Sequence, residues 1–218
     1  SDGLCYAKIV GICVSHDPDE GAYIPIAHEH ADNYNVPLKF VIRETKRLAA
    51  NCVLIFHNFK YDGAILRPHG VVFESEDQYE DTYLMAAIQD ASRKEKGLKY
   101  LSGALLDRPQ LEIDDLGIQG TAKNTVAFYL VPPQKAVFYG GGDAMNTMAL
   151  YLYLKAEIDK QDPTGKEGPW AVYNVEKRCL FVTMEMENNL VKIDRKYLEE
   201  TSKDVDLRMQ KLISDIYK

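Results

Sequence analysis

The chain has 218 residues, 26 of them Lys or Arg and 33 Asp or Glu, for a formal charge of −7. With 46% hydrophobic and 10% aromatic residues but 9 prolines and 14 glycines, it has the apolar content of a core and not the composition of a disordered chain; its length suits one domain and a little more. The acidity excludes a wholly basic nucleic-acid-binding surface, and the longest apolar run, Met148 to Leu154, is far short of the ~20 residues that cross a bilayer, so no membrane partner is expected.

The opening Ser1-Asp2-Gly3-Leu4 lacks a methionine and a basic lead into an apolar stretch, so no secretory signal is expected and a fragment of a longer protein is. Cys5, Cys13, Cys52 and Cys179 are scattered with no C-x-x-C pair. Three lie in apolar stretches, where a reduced cysteine acts as a small hydrophobe. A reducing, cytoplasmic compartment is expected.

Lys8 to Ser15 and Ala22 to Ala27 are β-branched runs on either side of the turn-like Asp17-Pro18-Asp19-Glu20-Gly21; they predict an antiparallel hairpin. After Pro37, apolar Leu38, Val41, Ile42, Leu48 and Ala49 alternate with Lys39, Arg43, Lys46 and Arg47 at helical spacing. Cys52 to Phe56 is wholly apolar and predicts a strand covered on both faces, which delivers the chain into His57-Asn58-Phe59-Lys60-Tyr61-Asp62. Asp81 to Ala91 and Leu98 to Leu106 predict helices, and Asp107 to Pro133 a long loop or small inserted subdomain. Asp143 to Ile158, Glu176 to Glu187 and Arg195 to Tyr217 are further helices, with a turn at Pro163 to Gly168. Strands first and helices woven among them give an α/β architecture with a mixed sheet.

Two constellations place an aspartate four residues after a polar side chain: Asn58-x-x-x-Asp62 and Tyr139-x-x-x-Asp143. Residues i and i+4 share a helix face, so each pair can point into one cleft. Two carboxylates there repel, and a hard divalent cation such as Mg²⁺ or Mn²⁺ relieves the repulsion. Read as structure alone, Asn58 is a helix N-cap and Asp62 a first-turn acid, while Tyr139 is a half-buried aromatic and Asp143 a cap.

In their order, these motifs resemble the 3′–5′ proofreading exonuclease domain of family A DNA polymerases, the bacterial DNA polymerase I type. The resemblance runs nearly end to end: Ser1 to Leu4 and the hairpin with Tyr23-Ile24-Pro25-Ile26-Ala27-His28 are similar to the stretch after the family's first Asp-x-Glu motif. His57 to Asp62 matches the second motif, and Tyr139, Asp143 and Ala144 the third. Asp81-Thr82 with Leu84, Met85 and Ala86, and Gly97-Leu98-Lys99-Tyr100-Leu101, resemble its two intervening helices. Met186-Glu187 and Val191-Lys192-Ile193-Asp194 resemble the junction to the polymerase domain.

The resemblance implies a ribonuclease H-like α/β fold, a mixed five-stranded sheet flanked by helices, with an exonuclease domain over residues 1–174 and the junction and first thumb helices of a polymerase from 175 to 218. It implies hydrolysis of the 3′-terminal phosphodiester of DNA at a two-metal site of Mg²⁺ or Mn²⁺. Asp62 and Asp143 are the implied metal ligands and Tyr139 the residue that orients the attacking water. The implied substrate is a single-stranded 3′ end touched by Leu4, Asn58, Phe59, Lys60 and Tyr61. Leu4 fits a wedge against the terminal base or a core-capping turn, Phe59 a stacking platform or core, and the run Arg93 to Lys99 a phosphate grip or a solvated loop. His28 and His30 make no metal spacing with a cysteine and are expected to be structural. A polymerase domain in the same chain and replication accessory proteins are implied partners, and a bacteriophage source, acting in the host cytoplasm, is compatible. The alternatives are a catalytically dead exonuclease fold serving as a DNA-binding platform, and a stand-alone ribonuclease of the same superfamily.

Three departures from the family stand out. The Asp-x-Glu, which holds half of the family's metal-binding carboxylates, is absent from these 218 residues. Gly140-Gly141-Gly142 weakens a helix by about 3 kcal/mol relative to alanines, so either tertiary packing holds that turn helical or the helix begins at Asp143 and Tyr139 is displaced. Leu190 stands where the junction usually has glycine, leaving Asn189 as the expected left-handed residue. From the first departure, the 218-residue polypeptide alone is expected to show little or no metal-dependent exonuclease activity. Robust Mg²⁺-stimulated digestion of a 3′-labelled oligonucleotide by that polypeptide would contradict this.

Overall fold

A computed structural model describes residues 8–29, 34–116, 127–165 and 167–217. They fall into two compact units, Ser1–Met184 and Glu185–Lys218.

In the first unit, β1 (Gly11–Asp17) and β2 (Glu20–Pro25) form the expected antiparallel hairpin, Gly11 opposite Pro25 and Val14 opposite Ala22. Asp17 Oδ1 accepts the Asp19 N–H at 2.8 Å, the side-chain bond that makes Asp-Pro-Asp a turn. Beyond β2, His28 is 3% exposed. Its Nδ1 lies 2.7 Å from the Val131 carbonyl, which can only accept, so Nδ1 carries the proton and Nε2 accepts from the Tyr23 hydroxyl at 2.6 Å. His28 is thus a satisfied core histidine; His30 lies outside the described residues, as does Leu4.

Helix α1 (Leu38–Asn51) follows Pro37 and buries Val41, Ile42 and Ala49. Strand β3 (Leu54–Phe56) leads to α2 (Phe59–Leu66), and β4 (Tyr79–Asp81) returns parallel to β3, Leu54 opposite Tyr79 and Phe56 opposite Asp81. Then come α3 (Thr82–Gln89), α4 (Leu98–Leu106), α5 (Pro133–Ala136), a π-helical turn over Val137–Gly141, α6 (Gly142–Gln161) and α7 (Pro169–Asn189).

Among the described residues, three apolar clusters hold these elements, the smallest made of Tyr23, Leu116, Val131 and Ala136. Ile42, Ala49, Leu66, Phe73 and Met184 close around Phe59, whose ring stacks on Tyr79 at 3.8 Å. Leu150, Leu154 and Ile158, one turn apart on α6 and each 0% exposed, form a stripe against Met85 of α3, Leu101 of α4 and Tyr173 of α7.

Several expectations are revised. The described residues make two two-stranded sheets, β1-β2 and β3-β4, and not a five-stranded sheet. The apolar run at 52–56 is strand only from Leu54, and Val53 is 55% exposed, so it is not covered on both faces. Cys13, Cys52 and Cys179 are exposed rather than packed as small hydrophobes. Phe59, at 1% exposure, belongs to the core and presents no face to a base.

The glycine triplet is helical: Gly141 and Gly142 both have right-handed φ and ψ. A Cβ on Gly140 would lie 2.4 Å from Cys13 Sγ, and one on Gly21 2.5 Å from the Gly141 carbonyl oxygen. The hairpin is seated directly on this turn, and that contact holds it helical despite its weak propensity.

In the second unit, α7 ends at Asn189 and Leu190, not Asn189, takes the left-handed conformation, φ 57°. The position past the helix end requires that conformation, and a leucine there bears a cost of about 1–2 kcal/mol. Helix α8 (Arg195–Ile216) is capped by Asp194, which accepts the Tyr197 N–H at 3.1 Å, and its residues are all exposed.

The glycine packing is testable by thermal unfolding. Gly140→Ala forces a methyl into Cys13 and is expected to lower Tm, overpacking costing about 1–3 kcal/mol. Gly142→Ala meets nothing within 4 Å and is expected to raise Tm through a helix-propensity gain of up to about 1 kcal/mol.

Candidate active site

Phe56 ends β3, and the chain enters α2 through Asn58, whose φ is 70°. Asn58 stands at the N-cap position, but its side chain caps nothing; the cap comes from the neighbouring strand. The Asp81 carboxylate accepts the Asn58 N–H at 3.0 Å and the Phe59 N–H at 2.9 Å. It also accepts Tyr83 N–H at 2.9 Å and Leu84 N–H at 3.4 Å, capping its own helix α3. His57 is pinned on both sides, Nδ1 2.8 Å from Thr82 Oγ1 and Nε2 3.0 Å from the Lys96 carbonyl. With its start so fixed, α2 presents Asp62 in its first turn.

Asp143 stands in the first turn of α6, immediately after the π turn that carries Tyr139. Lys99 of α4 places Nζ 4.4 Å from the centre of the Tyr139 ring and 3.1 Å from Glu112 Oε2, and donates to the Leu111 carbonyl. Lys99, Tyr100, Glu112 and Asp143 line one open cleft of about 440 Å³.

Asp62 and Asp143, distant in sequence, both raise the thiol of Cys13, an exposed residue whose Sγ packs against Gly140. Cys13 is pushed up to about 12, by burial first and then by the charges of Asp143 and Asp62. Both carboxylates are themselves raised. Asp62 is pushed up to about 7 by burial, then by the Asp81 charge. Asp143 is pushed up to about 6 by burial; Lys99 opposes the rise and Glu112 adds to it. Burial and then Asp143 raise the Tyr139 hydroxyl as well, while Lys99 opposes them. These acids lack a full counter-charge, which is the electrostatic requirement for seating a divalent cation, and oxygen donors suit Mg²⁺ or Mn²⁺. Among the described residues, no group of three or more His, Cys, Asp or Glu side chains is gathered to hold a metal.

Of the implied DNA-contacting residues, Asn58 is exposed, Tyr61 is 50% exposed and Lys60 half-buried. The sequence alone did not show the role of Asp81, placed Lys99 only in a helix match and a basic run, named Cys13 only as one of the scattered cysteines, and passed over Glu112. The one available signal was Asp81 at a helix start, and a helix start does not reveal that the same carboxylate caps a second helix.

A 3′–5′ exonuclease family model, that of the family A DNA polymerases, matches residues 2–159. The chain belongs to that family. It is 27% identical over 209 residues to a DNA polymerase I of Rhizobium leguminosarum, covering 90% of this chain and 19% of the relative. It is 28% identical to the DNA polymerase I of Chloroflexus aurantiacus, covering 97% and 21%, and 28% identical to that of Borreliella burgdorferi, covering 97% and 22%. The chain thus spans about a fifth of the length of these curated relatives. Among the described residues no helix is long and apolar enough to cross a membrane.

The raised carboxylates predict an unusual pH dependence. A carboxyl whose folded pKa lies above its ordinary 3.8 binds its proton more tightly in the folded state, so its contribution to stability falls as pH rises from about 4 to 7. The metal-free protein is expected to lose Tm between pH 5 and pH 8 relative to an Asp62→Asn, Asp143→Asn double variant, and Mn²⁺ is expected to restore Tm at pH 8, where the ligands are ionised. Parallel Tm curves for the two proteins would rule this out.

Proposed function

We propose that this chain is the proofreading exonuclease of a family A DNA-directed DNA polymerase, acting in the cytoplasm on the single-stranded 3′ end of DNA, within a ribonuclease H-like fold. Residues 1–174 form the exonuclease domain, and residues 175–218 begin the polymerase domain of the same chain. The observation that carries this reading is the match of residues 2–159 to the 3′–5′ exonuclease family, with Asp62 in the first turn of α2 and Asp143 in the first turn of α6.

Asp62 and Asp143 hold the divalent ions, together with the first-motif carboxylates that the resemblance implies. Such ions, Mg²⁺ or Mn²⁺, would supply an activated water and stabilise the leaving oxygen when bound. The chain's own residues prepare the rest. Burial makes Asp62 and Asp143 poor anions until a cation arrives. Tyr139 holds the attacking water by its hydroxyl, and Lys99 braces the Tyr139 ring from the other side of the cleft. Asn58, Lys60 and Tyr61 border the turn where the terminal nucleotide enters. Water attacks the terminal phosphorus, the bond to the 3′ oxygen breaks, and that oxygen takes up a proton, releasing a nucleoside monophosphate.

The test is digestion of a 3′-labelled single-stranded oligonucleotide by the full-length protein with Mg²⁺ or Mn²⁺. Asp62→Ala and Asp143→Ala are each expected to cut the rate by at least the ~10–100-fold typical of losing a metal ligand's supporting partner. Tyr139→Phe, which only misplaces the water, is expected to cost up to about 100-fold. Retained binding of single-stranded DNA with no metal-dependent shortening in the wild type would favour the platform reading instead.

A further inference from the structure

The segment that carries Asp62 into place is fastened by the Asp81-Thr82 pair through more bonds than either residue's own helix requires. A helix N-cap normally serves its own first turn. Asp81 does that for α3 and reaches across to the start of α2, with partners 23 and 22 residues away in sequence. It is 2% exposed. Thr82, 0% exposed, adds its hydroxyl 3.0 Å from the Phe56 carbonyl and 2.8 Å from His57 Nδ1. The single Thr82 proton goes either to the Phe56 carbonyl or to His57 Nδ1, because the Lys96 carbonyl fixes the His57 proton on Nε2, while Asn58 and Phe59 are held by Asp81. Asn58 needs this, because a left-handed non-glycine residue persists only where its surroundings over-determine it.

The strand behind the pair is itself anchored. Tyr173 of α7 accepts the Asp81 N–H at 2.9 Å and donates to Glu80 Oε2 at 2.5 Å. Lys177, 4% exposed, lies 3.2 Å from Glu80 Oε1. Glu80 and Asp81 therefore cannot drift along β4 without breaking bonds to α7, and movement of β4 would carry the start of α2 with it.

We propose that Asp81 and Thr82 are positioning residues of the metal site: they set the entry of α2 so that Asp62 arrives within reach of an ion shared with Asp143. This role rests on the reading of Asp62 as a metal ligand given above. Neither residue touches substrate or metal; both act through the backbone of Phe56 to Phe59.

The experiment measures Mn²⁺ binding to the full-length protein by electron paramagnetic resonance of the free ion, beside Tm, KM for single-stranded DNA, and the rate of 3′ digestion. Asp81→Asn turns an amide NH₂ against backbone N–H groups that need an acceptor. Thr82→Val removes the hydroxyl at nearly constant volume, and Thr82→Ser keeps it. Asp81→Asn and Thr82→Val are expected to weaken Mn²⁺ binding about 10–100-fold and to lower kcat while KM for DNA stays within about 2-fold, with Thr82→Ser recovering most of the loss. A purely structural role would lower Tm and leave the Mn²⁺ affinity of the folded protein unchanged, and that result would overturn the proposal. If Asp81→Asn does not fold, the Thr82→Val and Thr82→Ser pair decides alone. Asp62→Ala serves as the reference: if it binds Mn²⁺ as the wild type does, the reading of Asp62 as a ligand fails, and the positioning role with it. If Asp62→Ala is impaired and the Asp81 and Thr82 variants are not, only the positioning role fails.

Discussion

A carboxylate taken out of water must be repaid in hydrogen bonds, and the way Asp81 meets that requirement sets the rest of the site. Its two oxygens collect four backbone N–H groups, two at the head of α2 and two at the head of α3. Each helix start carries unpaired N–H groups and a positive dipole end, so one negative group satisfies two such ends. The consequence is mechanical: α2 and α3 share an anchor, and the anchor lies on β4, which is paired to β3. The loop from β3 into α2 has few conformations left to it.

Asp62 and Asp143 present the opposite electrostatics in the same molecule. Asp81 is bonded from several sides, whereas burial dominates at Asp62 and Asp143 and leaves both raised. A carboxylate that is desolvated and not fully compensated is of little use to stability and well suited to binding a cation. The Asp81 charge contributes to the rise at Asp62, so the group that secures the start of α2 also makes its first-turn acid a more avid partner for positive charge. Lys99 plays a moderating part at the other acid, lowering Asp143 while standing over the Tyr139 ring.

Much of this was legible in the residues. The turn composition between two β-branched runs located the hairpin, helical spacing located α1, and α4 runs over the residues the periodicity named. Asp62 and Asp143 were identifiable because a resemblance fixes motif order even where each motif is weak. Short-range patterns did not reach β4, a three-residue strand between a 3₁₀ turn and a helix, since three residues show no periodicity. Nor could they reveal that Asp81 caps a helix more than twenty residues upstream, which is a tertiary bond with no local signature. Phe59 illustrates a different limit: an aromatic beside a site reads equally as platform or core, and only its stacking on Tyr79 separates the two.

The glycine triplet shows why propensity alone misleads at such a place. Three glycines ahead of Asp143 argue against a helix when the segment is considered in isolation, yet Gly140 lacks the one atom that would keep the hairpin away. With no Cβ at Gly140, Cys13 and Tyr23 close onto the turn, and with none at Gly21 the Gly141 carbonyl can approach β2. The contact returns to the turn the order that its own backbone entropy would remove. It also brings the β1 thiol against the turn that leads into Asp143. The weak helix former is therefore the condition for the hairpin to seat on the turn, and a better helix former at Gly140 would hold it away.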